Sequence, residues 1–486
     1  MGSARVSVGV AHRVSALHGA LFAALLSATT SVPAVAQARA TVTASAAAGA
    51  VRSAPGDSLV HPAWSRHAVI YEVNVRQYTP EGTLAALRRH LPRLQALGVD
   101  ILWIMPVQPI GRKNRKGPLG SYYSIADYTA VNPELGTLAD FTSLVRAAHA
   151  RGMHVLLDWV PNHTAFDHPW ITEHKDYYVT RADGTIVNAR DNEGHDTDWT
   201  DVAELNYDNP ALRSAMIDAM RWWLDRTGID GFRCDVAGGV PLDFWMQARP
   251  ALRASKPDLF MLAEAEDPRL HAAFDMTYGW ELHHLLNDIA QGKKPTTVLD
   301  GYFARNDSLF GKNADRMYFT SDHDENSWNG SEFERMGPNH LPAFVLAATA
   351  EQGMPLLYSG QEVSLAKRLR FFEKDTIDWK GPSLAPFYHS VFDLKHREPA
   401  LANGALGGEQ TKLTTNGGDR VYAFSRTRGT NTVLVALNFG DGATSMAYRD
   451  FAGAGRYRDW FSGHTMQLGT AGTITVPAHG YRVLVR

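Results

Sequence analysis

Eight short apolar runs recur between residues 69 and 360, with helix-patterned segments separating most of them. The runs are VIYEVNV (69–75), VDILWIMPV (99–107), MHVLLDWV (153–160), IDGFRCDV (229–236), LFMLAEAE (259–266), AAFDMTYG (272–279), RMYFTSDH (316–323) and GMPLLYSG (353–360). Short apolar runs that close on polar residues have the pattern of parallel strands covered on both faces. Segments 83–98, 138–152, 210–228, 242–255, 339–352 and 384–398 have helical patterning, several ending at glycine. Such an alternation predicts a closed (β/α)8 barrel, a TIM barrel. An open doubly wound sheet would need a Gly-rich phosphate turn after its first strand, and none follows Val75.

The rhythm pauses at residues 164–205, a polar insertion after the third strand, rich in Asp, His and Asn. From residue 403 the texture changes to short alternating runs such as RVYAFSRT, TVLVALNF and TITVPAHGYRVLVR, which predict a C-terminal antiparallel β-sandwich. At the other end, Arg5 and Arg13 precede ALHGALFAALLSA and then SVPAVAQA, the layout of a signal peptide with an A-x-A cleavage site. The expected organisation is a signal peptide at 1–38, a flexible leader at 39–62, a barrel at 63–163 and 206–402 interrupted by the insertion at 164–205, and a β domain at 403–486. The expected location is periplasmic or extracellular. No later run of about 20 apolar residues would anchor the mature chain. Lys+Arg of 48 against Asp+Glu of 51 gives a net charge of -3, which argues against nucleic acid as a partner. The single cysteine, Cys234, lies inside an apolar run and reads as a buried structural thiol.

Four of the runs end in acids or histidines: Asp158 with His163, Asp235, Glu264, and His323 with Asp324. At the C-terminal tips of barrel strands these groups converge on one mouth. Two carboxyls about 5–5.5 Å apart suit cleavage of a glycosidic bond with retention, one attacking the anomeric carbon and the other protonating the leaving oxygen. Arg233 shares a strand face with Asp235 and is expected to lower its pKa, keeping it ionised as nucleophile. Glu264 closes an apolar run that would raise its pKa and suit a general acid. Asp324, beside His323, is placed to stabilise positive charge in the transition state. Glu266 shares strand parity with Glu264 and competes for the acid role; Glu264 is preferred because it directly closes the run.

These segments resemble the α-amylase family, glycoside hydrolase family thirteen. DWVPNHT, GFRCDV, LAEAE and SDHD are similar to its four short sequence regions, and VAELNYDNP to the stretch closing its inserted domain B. GSYYSIADYTAVNPELGT resembles the segment whose tyrosine stacks on the sugar before the cleaved bond. The resemblance runs in order from about Val69 to Gly360. It implies Asp235 as nucleophile, Glu264 as acid/base and Asp324 as transition-state stabiliser. It implies Arg233, His163 and His323 as sugar-orienting residues, Asp158 as a structural or sugar contact, and Tyr123 as the stacking ring. Tyr122 competes for that last role, with the spacing to Asp127 favouring Tyr123.

The chain departs from the pattern after the nucleophile, where many starch-acting members carry Lys-His and this sequence has Gly238 and Gly239. Asp322 stands where Asn is more usual. The resemblance offers Asn162 as a calcium ligand without its usual partner, so no cofactor is expected to be required and calcium is doubtful. The function implied is hydrolysis of α-1,4-glucosidic bonds in starch or maltooligosaccharides through a glycosyl-aspartate. A transglycosidase on the same α-glucans and a non-catalytic sugar-binding homologue are the alternatives. A metal-dependent barrel hydrolase would carry paired histidines at the first strand, where this chain has YEVNVRQ.

Overall fold

A computed structural model describes residues 59–191, 195 and 197–486. The expected signal peptide and most of the leader lie outside the described residues. Eight parallel strands close into a barrel: β1 (Ile70–Val73), β2 (Ile101–Ile104), β3 (His154–Trp159), β4 (Gly231–Cys234), β5 (Phe260–Ala263), β6 (Met276–Tyr278), β7 (Asp315–Phe319) and β8 (Gly353–Tyr358). Seven fall within the apolar runs, and β7 begins one residue before its run, at Asp315. Strand order follows chain order around the ring, with β8 pairing back onto β1.

Alternation along each strand sorts the side chains. One parity (Tyr71, Leu102, Val155, Phe232, Met261) packs outward into the large core shared with the helices. The other fills the barrel with Ile70, Ile101, Trp103, Leu156, Phe260, Leu262, Met276, Met317 and Met354. The base is plugged from the single turn Ala63–His67, where Trp64 stacks on His154 at 3.9 Å. Gly231 is required by close approach: a Cβ there would lie 1.8 Å from the Phe260 carbonyl oxygen of the neighbouring strand.

The helices depart from expectation in two places. The segment 83–98 forms two pieces, Leu84–Arg88 and Leu91–Leu97, because Pro92 offers no N–H and its ring crowds the carbonyl four residues back. Between β6 and β7, where no helix was expected, Trp280–Ala290 and Val298–Leu309 both form. The first buries Leu282, Leu285, Leu286 and Ile289, a spacing that was present in the sequence. The segment after β3 opens and closes on an antiparallel pair, His163–Ala165 with Val202–Glu204, in which His163 faces Glu204. The C-terminal residues form a six-stranded and a three-stranded antiparallel sheet. Val421, Leu434, Met446, Ile474 and Leu484 pack between the two sheets. The other face of the larger sheet joins the main core through Phe424, Val435 and Val483, which explains why its central strands are buried on both sides.

Candidate active site

The inward parity that is apolar at the base turns polar at the mouth: Ile70 gives way to Glu72, Leu156 to Asp158, and Leu262 to Glu264. On β4 the same parity carries Arg233 and then Asp235. Arg233 is fully buried and organises the cluster. Its Nη1 donates to Asp158 Oδ1 at 3.0 Å and to Asp235 Oδ1 at 2.9 Å, and its Nη2 lies 2.9 Å from Glu264 Oε1. Its Nε donates to the Tyr278 hydroxyl at 3.1 Å, and the guanidinium lies over the Trp103 ring at 4.9 Å. Val236, directly after Asp235, takes φ 44°, a conformation that is uncommon and strained for a β-branched residue. From there its N–H donates to Glu264 Oε2 at 2.8 Å, fixing Glu264 to the strand that carries Asp235.

A second chain of contacts links Asp324 to this cluster. The Tyr123 hydroxyl donates to Asp158 Oδ2 at 3.1 Å, and the Trp103 indole donates to the same oxygen at 2.9 Å. His323 meets Glu72 Oε1 through Nδ1 at 2.6 Å. Its Nε2 faces the Tyr123 hydroxyl at 2.8 Å and Asp324 Oδ2 at 3.3 Å. With acceptors on both ring nitrogens the imidazolium is favoured. Burial works against the charge, but Asp324 and Glu72 raise the His323 pKa well above its usual range.

Electrostatics separate the carboxyls. Burial pushes Asp235 up to about 6, with Arg233 pulling down and Asp158 pushing further up. Burial likewise lifts Glu264, against Arg233 and with the charges of Asp235 and Asp324, to about 8. The expectation that Arg233 would bring Asp235 below its ordinary pKa is thus corrected: it pulls in that direction, but one guanidinium divided among three carboxylates does not offset their desolvation. The order survives, with Asp235 the more readily ionised of the two. Asp324 is the most open, its side chain 38% exposed; desolvation still opposes its charge, but His323 outweighs that and holds it below the ordinary range.

The other candidates divide clearly. Glu266 is turned away, paired with Arg316 and accepting the Glu281 N–H at 2.8 Å at the start of helix Trp280–Ala290. Tyr122 lies under Arg76, 3.8 Å from its ring centre, while Tyr123 is in the cluster. His163 is buried at the edge of the insertion, and burial lowers its pKa to about 4, so it is neutral. Asn162 bonds the His163 ring at 3.3 Å, and among the described residues no group of three His, Cys, Asp or Glu side chains is disposed to hold a metal. Asp322 is buried and accepts the Glu325 N–H at 2.8 Å. Burial and the nearby carboxylates of Glu72, Asp324 and Glu325 raise its pKa well above normal, toward the neutral form that resembles an amide. Gly238 and Gly239 lie exposed on the short turn after Asp235. Sequence reasoning missed Glu72, Trp103 and Tyr278; a charge at inward parity within an apolar run was the available signal for Glu72.

The chain is similar to known proteins. The profile of the alpha amylase catalytic domain matches residues 45–399, and that of the alpha amylase C-terminal all-beta domain matches residues 413–485. The α-amylase MalA of Haloarcula japonica is 30% identical over 416 residues, covering 82% of this chain and 59% of that protein. An α-1,4-glucan:maltose-1-phosphate maltosyltransferase of Rhodospirillum rubrum is 37% identical over 239 residues, 45% of this chain and 34% of that one. The chain thus spans about three fifths and about one third of the lengths of these two relatives. The crystal structure of an α-amylase from Lactobacillus plantarum superposes with a TM-score of 0.78 at 30% identity, over 87% of this chain and 99% of its own. By catalytic and C-terminal profiles together, the chain belongs to the α-amylase family, glycoside hydrolase family thirteen.

Proposed function

We propose that the protein is a retaining hydrolase of α-1,4-glucosidic bonds in starch or maltooligosaccharides. The observation that carries this reading is the shared hold of Arg233 on Asp235 and Glu264, 2.9 Å from each, with their pKa values pushed up to about 6 and about 8. Near neutral pH this leaves Asp235 largely ionised and Glu264 largely protonated. In the first step an oxygen of Asp235 attacks the anomeric carbon while Glu264 gives its proton to the departing glycosidic oxygen. In the second, Glu264 takes a proton from water, which attacks the same carbon and releases Asp235. Asp324 and Tyr123 face the sugar ring, Asp324 countering the positive charge that develops. Asp158, His163 and His323 position these groups or contact hydroxyls. No step requires a metal.

Transfer to a second sugar is the rival outcome, favoured by the likeness to the maltosyltransferase. Both outcomes use the same glycosyl-aspartate and differ in what attacks it. Incubating the enzyme with maltoheptaose, beside Asp235→Asn, tests the reading. Shorter maltooligosaccharides from the wild type alone are expected. Products longer than the substrate would replace hydrolysis with transfer, and no products from either protein would overturn the α-glucan reading. Export before action is part of the same proposal and rests on the signal-peptide pattern at 1–38, with its A-x-A site ending at Ala36 or Ala38. A mature N-terminus found upstream of Ala36 would remove it.

A further inference from the structure

The rings that begin at the candidate site continue out of it. Phe371, in the loop after β8, lies 6.2 Å from Tyr123 at an interplanar angle of 17° and 6.4 Å from His323. Trp328 follows at 5.3 Å from Phe371 and 5.9 Å from Phe372. It is the most exposed large aromatic among the described residues, at 53%. It lies four positions after Asp324, on the wide turn Glu325–Asn329. Wide turns of this kind are rare and recur at functional sites.

We infer that Trp328, backed by Phe371 and Phe372, is a stacking surface for a glucosyl unit bound outward of the one that reacts, and so sets preference for chain length. The inference rests on the α-glucan reading above. A pyranose presents an apolar C–H face that suits an exposed indole, and hydroxyls at its edge that suit a neighbouring carboxylate. One exposed ring is too small an apolar patch for a protein partner, which would need several hundred Å2 or so. The surface is also held in place. Ser327 Oγ donates to the Leu369 carbonyl at 2.9 Å, Asn326 Oδ1 accepts the Leu369 N–H at 2.8 Å, and Asn326 Nδ2 donates to the Lys367 carbonyl at 3.0 Å. These contacts join the loops after β7 and β8, so little ordering is left to be done when sugar binds.

The test compares wild type, Trp328→Ala and Trp328→Phe on maltoheptaose and on a short aryl α-glucoside. For Trp328→Ala the KM for maltoheptaose should rise by roughly tenfold, about the loss of one stacking face, with kcat much less affected. The KM shift for the short substrate should be severalfold smaller, and Trp328→Phe should restore most of the difference. Equal shifts on both substrates would mean that Trp328 merely supports Asp324, and faster turnover of maltoheptaose would mean that the ring blocks longer chains; either overturns the proposal. Titrating maltoheptaose into Asp235→Asn, with and without Trp328→Ala, separates the two levels. Tight binding that ignores Trp328 removes the stacking surface alone, whereas no binding and no turnover by the parent removes the α-glucan reading with it.

Discussion

Both ends of the barrel bury carboxylates at strand termini, and they treat them in opposite ways. At the base, Asp230 precedes β4 and accepts the Val155 N–H at 2.8 Å while meeting His149 at 2.7 Å and Lys256 at 3.1 Å. Asp275 precedes β6 and accepts from Arg249 at 2.8 and 3.0 Å, from His61 at 2.8 Å and from the Met261 N–H at 2.8 Å. Desolvation pushes both upward, yet these donors hold both below the ordinary range. At the mouth, Asp158, Asp235 and Glu264 share Arg233 and are raised to about 6, about 6 and about 8. Burial is common to the two ends, so the cations available to each carboxylate decide the direction: Asp230 and Asp275 have their own, whereas one Arg233 is shared by three acids at the mouth. Asp315 makes the point from within the base: burial lifts it to about 6, and its Oδ1 has no hydrogen-bond partner. Acids matched by their own cations hold strands together; acids that share one are kept ready to exchange protons.

The sharpest break in this comparison is Asp235→Asn. It should lower kcat on maltoheptaose by about a thousandfold or more while leaving the melting temperature unchanged or higher, since it removes one of three crowded carboxylates. Activity above about one percent, or a clear fall in melting temperature, would mean that the mouth is organised for stability like the base. The mirror experiment is Arg249→Met. Leaving Asp275 with fewer donors should cost about 3–5 kcal/mol in urea unfolding, with kcat per folded molecule unchanged. A loss of turnover without a loss of stability would erase the distinction between the ends.

The pH dependence refines the contrast. Activity should follow a bell, falling below about 6 as Asp235 gains its proton and above about 8 as Glu264 loses its own. Glu264→Gln should remove the alkaline limb. It should also spare aryl glycosides with good leaving groups, while natural glucans lose roughly a hundredfold or more. Stability carries opposite signs at the two ends. A carboxyl raised on folding, as at the mouth, favours the folded state at low pH and loses that contribution as pH climbs from about 4 through its folded value. Asp275, lowered on folding, contributes above about 4 and loses its contribution on acidification. Pairing Asp235→Asn with Glu264→Gln should therefore flatten the decline in unfolding free energy between about pH 4 and 8. An unchanged slope would assign that decline to other groups.

What the sequence disclosed, and what it withheld, follows from the range of the interactions. The eight strands and the polar groups at their tips are legible because strand parity is local: Arg233 and Asp235 share a face wherever the strand lies. Glu264 and Glu266 share parity too, and only Arg316 on β7 and the Glu281 N–H, distant in sequence, separate them. The raised pKa of Asp235 was illegible for the same reason, since Arg233 is divided among acids from three strands. The strand pair bounding the inserted segment is three residues long on each side, too short for any periodicity to register. Acids at the base, such as Asp230 and Asp275, look in sequence much like those at the mouth; their donors are what differ.

The smallest effect tests the reading of Asp322. Burial and its carboxylate neighbours shift Asp322 toward the neutral form, which differs from Asn by one group that is not needed to accept the Glu325 N–H. Asp322→Asn should therefore leave kcat within about twofold and raise stability by less than about 1 kcal/mol, the gain appearing as pH rises and the native carboxyl would otherwise be forced to ionise. The three carboxylates around it, those of Glu72, Asp324 and Glu325, supply the pressure that the substitution relieves. If the variant is instead destabilised at neutral pH, Asp322 is ionised there and some cation beyond His323 must be matching it. The mouth would then be better supplied with donors than its counterpart at the base, reversing the contrast from which the other predictions start.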